Sequence, residues 1–255
     1  MPGSEESSRI RGVRQQLESL RASGIEWLPR RSPQPRGGAP DSLFEESPAP
    51  PPAAISPDQR RRELELLAET VRPCRRCADL CSTRTQTVFG VGRLDPDICF
   101  IGEAPGADED RVGEPFVGQA GQLLNRIIAA CGLTRDEVYI CNILKCRPPG
   151  NRTPRLDEAA NCREYLDKQL ALVQPRSICC LGGTAATNLL GVTSSLGKLR
   201  GRFHDYHGIP VICTYHPAFL LPFRQPEKKK DVWEDMKMLL RKLGKPIPSA
   251  GAARE

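Results

Sequence analysis

The chain has 255 residues, 39% of them hydrophobic, which is enough to build one well-formed core. Its formal net charge of +6 is a moderate basic excess that suits a polyanionic partner without proving one. No apolar run approaches the length of a membrane span, and the polar, acidic N-terminus is unlike a secretory signal. We therefore expect a cytoplasmic protein that does not bind membranes.

The first part of the chain is predicted to be a disordered extension over residues 1–57. Its stretch 31–57 is crowded with Pro, Ser, Gly and Ala, and holds too few apolar groups to offset the entropy of ordering. Its composition fits a tether to a partner, but we favour the interpretation that it is a disordered extension without a specific function. We expect a folded domain over residues 58–245 and a second disordered tail over 246–255.

Strands and helices alternate along the expected domain. The predicted helices cover residues 59–71, 118–131, 155–172, 184–190 and 231–243. The predicted strands are short apolar runs over residues 98–101, 138–144, 178–181 and 210–214. This alternation favours an α/β fold, with a mostly parallel central sheet flanked by helices on both faces.

Conspicuous polar or glycine positions follow these strands. Glu103 comes after the first, Asn142 lies near the end of the second, a glycine pair follows the third, and His216 comes after the fourth. The carboxyl ends of parallel strands lie along one edge of an open sheet, where ligands bind. We therefore expect Glu103, Asn142 and His216 to converge on one pocket.

Eleven cysteines, an odd number, suit a reducing compartment better than a disulfide scaffold. Cys74 and Cys77 form a Cys-x-x-Cys pair, a spacing shared by zinc sites, redox sites and chance. A second pair stands at Cys146 and Cys162, with fifteen residues between them.

Three motifs in order, over about residues 70–225, resemble those of the family 4 uracil-DNA glycosylases, which carry an iron–sulfur cluster. The first begins with Gly102-Glu103-Ala104-Pro105-Gly106 and continues into the helix over 121–128. The second runs from Asn142 to Cys162, and the third is 214–221, where a His-Pro step follows a strand. The resemblance implies a monofunctional enzyme that hydrolyses the N-glycosidic bond of uracil in DNA and leaves an abasic site.

The resemblance also implies a binding partner, and alternative functions remain to be weighed against it. Its partner is uracil-containing DNA, single- or double-stranded, and we expect a monomer in a bacterial cytoplasm, associated with the nucleoid. One rival is a relative that traps uracil DNA covalently, which the loop 149–154 disfavours because it lacks a histidine and a basic insertion. Other rivals are a non-catalytic Fe–S protein that binds DNA or senses damage, and a zinc-stapled nucleotide binder.

The cluster implied by the resemblance is one [4Fe-4S] cluster that staples an N-terminal cap to the loop after the second strand. Its implied ligands are Cys74, Cys77, Cys146 and Cys162. Four thiolates favour either Fe–S or zinc, and spacing alone does not separate the two. Cys81 is a rival ligand, because Cys77-x-x-x-Cys81 is also a metal-like spacing.

The catalytic residues implied by the resemblance are His216 and Glu103. An imidazole near uracil O2 stabilises the negative charge of the leaving base. Glu103 is expected to orient water or to stabilise the positive sugar, since Ala104 stands where the best-known branch of the superfamily has an aspartate. Glu109 and Asp110 are alternatives to Glu103, and Glu109 is also a candidate for excluding the methyl group of thymine.

The remaining implied contacts hold the base and the DNA. Uracil is expected to stack on Phe116, to be read by the Asn142 amide and to contact the backbone at Glu103 and Ala104. The basic loop 196–202 is a predicted phosphate grip, and Leu220 is either an apolar wedge that fills the gap left by the flipped base or a core residue. Arginines near the cysteines face phosphates or neutralise the cluster. The predicted DNA contacts are Arg152, Lys198, Arg200, Arg202 and Leu220.

Overall fold

The computed structural model describes residues 55–248, so most of the two expected extensions lies outside the described residues. The strands are β1 (Val91–Gly92), β2 (Cys99–Gly102), β3 (Tyr139–Asn142), β4 (Ile178–Leu181), β5 (Phe203–Tyr206) and β6 (Ile209–Thr214). They form one mixed six-stranded sheet in the order β1-β3-β2-β4-β6-β5. The four inner strands are parallel, and the edge strands β1 and β5 run antiparallel to their neighbours.

Helices connect these strands and cover the sheet. They are α1 (Pro57–Val71), α2 (Ala78–Thr83), α3 (Ala107–Val112), α4 (Gln119–Ala130), α5 (Leu156–Val173), α6 (Gly183–Leu190), α7 (Leu196–Leu199) and α8 (Lys229–Lys242). The first begins where Ser56 accepts a hydrogen bond from the Gln59 N–H and Pro57 occupies the first turn. No helix in this part of the chain is long and apolar enough to cross a membrane.

The core lies on both faces of the sheet because β2, β3 and β4 are buried at every position. On one face the strands pack against α5, α6 and α7, with Leu64 of α1 at the margin. On the other face they pack against α4 and α8. Helices thus cover both faces, which is why the inner strands read as continuous apolar runs.

A third apolar cluster lies beside the sheet and joins α1 and α2 to α5. Val71 and Leu80 pack there with Leu144, Tyr165 and the cysteines of the second motif. An ion pair between Arg60 and Asp95, at 2.6 Å, fixes the start of α1 to the loop before β2. This cluster positions the cysteine segment next to the loop that follows β3.

Candidate active site

A cavity of about 510 Å³ opens at the carboxyl edge of the parallel strands. The sheet order changes direction at β2, which lies between β3 and β4, and ligands of open α/β sheets bind at such a point. Glu103 after β2, Asn142 at the end of β3 and His216 after β6 all line this cavity, together with Phe116 and Ala104. The structure thus brings three strand ends of the sequence analysis to one place.

Asn142 presents an unsatisfied hydrogen-bond acceptor to this site. Asn142 is only 2% exposed, and its side-chain Oδ1 atom has no hydrogen-bond partner among the described residues. A buried polar atom without a partner costs free energy, so such an atom in a cavity indicates that a ligand completes it. The main-chain carbonyl of Asn142 accepts a 2.9 Å hydrogen bond from Lys145 Nζ, and this bond holds the backbone of Asn142 in place.

Gly102 allows Asn142 and Phe116 to approach each other closely. A Cβ atom at this position would lie 2.3 Å from Asn142 Oδ1 and 2.5 Å from Phe116 Cζ, so no other residue fits without displacing both. Phe116 itself has a φ of +54°, an uncommon backbone conformation for an aromatic residue. Arg135 donates to its carbonyl at 3.3 Å and helps to hold that conformation.

The His216 ring lies beside the Phe116 ring in the cavity lining, with centroids 5.5 Å apart and planes inclined by 32°. Its Nδ1 accepts a hydrogen bond from the Ala218 N–H at 3.1 Å, so the proton of the neutral ring belongs on Nε2. Burial lowers the pKa of His216 to about 4, outweighing the opposite effect of Glu109. The ring is therefore neutral at physiological pH and offers one N–H donor.

The acidic residues around the cavity differ in how their carboxylates are used. Glu103 is half-buried, and its carboxylate has no hydrogen-bond or ion-pair partner within residues 55–248. Glu109 accepts from three backbone N–H groups, those of Gly106 at 3.0 Å, Val117 at 2.9 Å and Gly118 at 3.0 Å. Glu103 is thus free for chemistry, whereas Glu109 shapes the wall that carries Phe116.

Asp110, the other alternative acid, is not among the residues that line the cavity. It is buried and accepts hydrogen bonds from the backbone N–H groups of Thr85 and Gln86. Its carboxylate fixes the segment after α2 to the start of the first motif, which is a structural task.

The structure engages the side chains of two predicted DNA contacts, Arg200 and Leu220, within the domain. The guanidinium of Arg200 binds buried Asp235 at 2.8 Å and lies 4.3 Å from the centre of the Tyr215 ring, so it fixes α8 to the end of β6. Leu220 is 1% exposed and packs in the core with α4 and α8. Phe223, which the sequence analysis missed, is 73% exposed just beyond it.

The other predicted DNA contacts remain at the surface. Lys198 and Arg202 are both exposed. Arg152 lines the cavity, but its guanidinium makes two hydrogen bonds to buried Glu158, at 2.6 and 2.9 Å. Arg224 was not predicted; it is exposed and lines the cavity next to Phe223.

Cys146 and Cys162 lie in the third apolar cluster, and Cys74 and Cys77 pack against it. Arg84 joins their two segments, since it donates to Cys146 Sγ at 2.8 Å and to the Cys74 carbonyl at 2.6 Å. Cys81 donates its thiol to that same carbonyl at 3.3 Å. Between residues 55 and 248, no three Cys, His, Asp or Glu side chains already stand in a metal-binding arrangement.

Comparison with known proteins shows the superfamily to which this chain belongs. The model of the uracil DNA glycosylase superfamily matches residues 89–237, which contain the sheet and every residue of the cavity described above.

The relatives narrow this class further. A type-4 uracil-DNA glycosylase of Thermotoga maritima is 43% identical over 69% of this chain and 93% of its own length. One from Archaeoglobus fulgidus is 40% identical over 73% of this chain and 96% of its own length. A type-5 uracil-DNA glycosylase of Pyrobaculum aerophilum is less similar, with 33% identity over 58% of this chain and 73% of its own length. The chain therefore belongs to the type-4 uracil-DNA glycosylases.

Proposed function

We propose that this protein removes uracil from DNA by hydrolysing the N-glycosidic bond, as a monomer that leaves an abasic site for base excision repair. The observation that carries the proposal is the buried, unpaired Oδ1 of Asn142, which lines the same strand-edge cavity as the neutral His216. Family membership supports the same reaction. A base inside a duplex must leave the stack to reach such a cavity.

Asn142 is the residue that we assign to reading the base. Its Oδ1 accepts the N3–H of uracil, and its amide nitrogen donates to uracil O4. Cytosine reverses this pattern, with an acceptor at N3 and an amino donor at C4, so both groups of Asn142 would stay unpaired or repelled. Sites built on such hydrogen bonds reject mismatched analogues strongly. Phe116 provides the ring on which the base stacks.

His216 stabilises the leaving base as a neutral hydrogen-bond donor. Uracil departs with negative charge developing on O2, and the Nε2–H is the one donor that the ring offers, because Nδ1 is committed to the Ala218 N–H. A donor already oriented before the reaction needs no reorganisation, which is where most of such stabilisation arises.

The pH dependence of stability follows from the low pKa of His216. Its value of about 4 in the folded state lies below its ordinary 6.5, so the folded state disfavours the proton. Its contribution to stability is therefore complete above pH ~6.5 and is lost as the pH falls towards 4. We expect the melting temperature to fall more steeply over this interval in the native chain than in His216→Leu. Equal slopes in the two proteins, measured by differential scanning calorimetry, would contradict the low pKa.

Glu103 is the group that we assign to the water or to the positive sugar. Its carboxylate lines the cavity without a protein partner in the described residues, and Ala104 beside it offers no acid. We expect Glu103→Gln to slow excision by about 10²-fold, as loss of a general base or of a stabilising charge does. Single-turnover assays measure this, with Glu114→Gln as the control for an acid outside the cavity lining. Near-full activity of Glu103→Gln would remove this assignment.

The cysteine set fits the [4Fe-4S] cluster that the family implies. Four thiols lie in or pack against one apolar cluster, and the cationic Arg84 already donates to one sulfur, as expected beside a thiolate ligand. We propose that Cys74, Cys77, Cys146 and Cys162 hold the cluster, with Cys81 outside the set because its thiol is turned to a carbonyl. When bound, the cluster supplies a cross-link between the segment after α1 and the loop after β3.

The DNA-binding face is proposed to surround the cavity mouth. Lys198 and Arg202 are exposed cations that suit phosphate contacts, and Arg224 lines the cavity itself. Phe223 replaces Leu220 as the proposed wedge, since an apolar ring that is 73% exposed is available to fill the gap left by a flipped base.

A denaturing gel tests the activity. A labelled oligonucleotide containing one uracil is incubated with the protein, and half of each sample is then treated with alkali. We expect a shorter product that depends on alkali and is absent from a thymine control. A slowly migrating protein–DNA band would indicate covalent trapping instead. Intact oligonucleotide, from protein of confirmed iron content, would leave only a binding or sensing role.

A further inference from the structure

Lys145 is a buried lysine whose positive charge none of the roles above explains. It is 1% exposed, and its Nζ donates to the Asn142 carbonyl at 2.9 Å and to Gln169 Oε1. The ring of Phe89 lies 5.7 Å from the same nitrogen. No carboxylate within residues 55–248 forms an ion pair with it.

The neutral partners of Lys145 satisfy its hydrogen bonds without balancing its charge. Gln169 is fixed in turn by donating to the Tyr139 hydroxyl at 2.8 Å and to the Phe89 carbonyl at 3.0 Å. A cation in a dry interior is costly unless an opposite charge lies near. Arginine and lysine ion pairs are abundant elsewhere on this domain, so the missing partner at this position indicates a negative group of another kind.

The neighbouring cysteine site is where such a group would be held. Phe89, whose ring lies 5.7 Å from Lys145 Nζ, packs against the apolar cluster that contains Cys146 and Cys162. Cys146 directly follows Lys145 in the chain. A [4Fe-4S] cluster held by four thiolates has a net negative charge, so it would supply the missing counter-charge.

We propose that Lys145 is a positioning residue that couples the cysteine-bound cluster to the base-reading Asn142. Its backbone adjoins the proposed ligand Cys146, while its Nζ donates to the main-chain carbonyl of Asn142 at the end of β3. The inference rests on the proposed function, because it explains how a cluster outside the cavity contributes to uracil recognition. Groups that hold the residues around a metal site in place typically change affinity or activity by about 10- to 100-fold when removed.

The test uses the full chain with its cluster and three variants. Lys145→Met removes charge and donors, Lys145→Gln keeps an N–H donor without the charge, and Lys168→Met is the control. Lys168 is an exposed lysine of α5 whose ion pair with Glu164 lies on the surface. Iron content and the visible spectrum establish loading, voltammetry gives the reduction potential, and single-turnover assays give the excision rate.

We expect Lys145→Met to excise uracil about 10- to 100-fold more slowly and to have a more negative reduction potential, since a nearby positive charge favours the reduced cluster. Lys145→Gln should show the same shift in potential with a smaller loss of rate, and it carries the test if the Met variant does not fold. An unchanged potential in both variants would overturn the coupling, whatever the rate. So would an unchanged rate in Lys145→Met.

Failure of the proposed function is distinguishable from failure of this coupling. If the native chain itself does not excise uracil, the proposed function fails, and the potential still reports whether Lys145 acts on the cluster. If the native chain is active and the variants match Lys168→Met in both measurements, only the coupling fails.

Discussion

Replacing His216 with leucine is expected to slow uracil excision by about 10² to 10³-fold, the effect of removing one oriented donor from a site of developing negative charge. The ring offers only its Nε2–H to a ligand, because Nδ1 accepts from the Ala218 N–H at 3.1 Å. Leucine keeps an apolar side chain of similar size beside Phe116. The loss should therefore fall on the chemical step, and single-turnover rates at saturating enzyme measure it.

The matched control for His216→Leu is His207→Asn, at a surface turn where φ is +50°, a conformation that Asn tolerates. His207 does not line the cavity, so this variant should keep the native rate. Binding of DNA that contains thymine should be unchanged in both. A single-turnover rate for His216→Leu within threefold of native would contradict the assignment of this histidine to the leaving base.

Replacing Asn142 with aspartate is expected to have a larger effect on uracil, a loss of about 10³-fold or more. A carboxylate has acceptors only, so it repels uracil O4 and opposes the negative charge that develops on the base. Because the residue is only 2% exposed, little solvent screens this repulsion. The same carboxylate accepts the 4-amino group of cytosine, so measurable cytosine excision should accompany the loss.

The assay for Asn142→Asp compares oligonucleotides with uracil, cytosine or thymine at one position. Asn151→Asp is the control, since Asn151 also lines the cavity but lies in the turn over Pro149–Asn151, where Arg147 bonds its side chain. A melting temperature near native confirms that each variant folds. Native uracil excision by Asn142→Asp, or equal losses in the two variants, would show that Asn142 does not read the base.

The sheet was predictable because its inner strands are short, apolar and buried on both faces. Residues 178–181 were predicted with the observed bounds, and the predicted strand at 98–101 differs from β2 by one residue at each end. The edges were not predictable from hydrophobicity. β5 is a short, partly polar edge strand over Phe203–Tyr206, and no strand was predicted there.

The site was predictable to the extent that strand ends define it. Glu103, Asn142 and His216 follow from the rule that parallel strands share one carboxyl edge, and the resemblance supplied their roles. The hydrogen-bond and ion-pair partners of individual side chains could not be predicted from the sequence. Arg200 was predicted to contact phosphate, and the structure pairs its guanidinium with buried Asp235. Likewise, Glu109 lines the cavity, and sequence alone did not reveal that three backbone N–H groups bind its carboxylate.

The choice of the wedge residue, which would fill the gap left by the flipped base, was limited by the sequence in the same way. The stretch Phe219-Leu220-Leu221 offered an exposed wedge and core packing at nearly equal weight, because both uses require the same apolar residues. Only the tertiary packing of the turn over Pro217–Leu220 against α4 settles that Leu220 is core. Phe223, which follows this turn, is instead an apolar side chain exposed at the surface.

The most direct test of the central claim is a crystal structure of the protein on DNA that carries 2′-fluoro-2′-deoxyuridine, whose glycosidic bond resists cleavage. The account predicts a flipped uracil stacked on Phe116, with N3 within hydrogen-bond distance of Asn142 Oδ1 and O2 facing His216 Nε2. A uracil that remains in the base stack, or that lies in the cavity with its Watson–Crick edge turned away from Asn142, would contradict it.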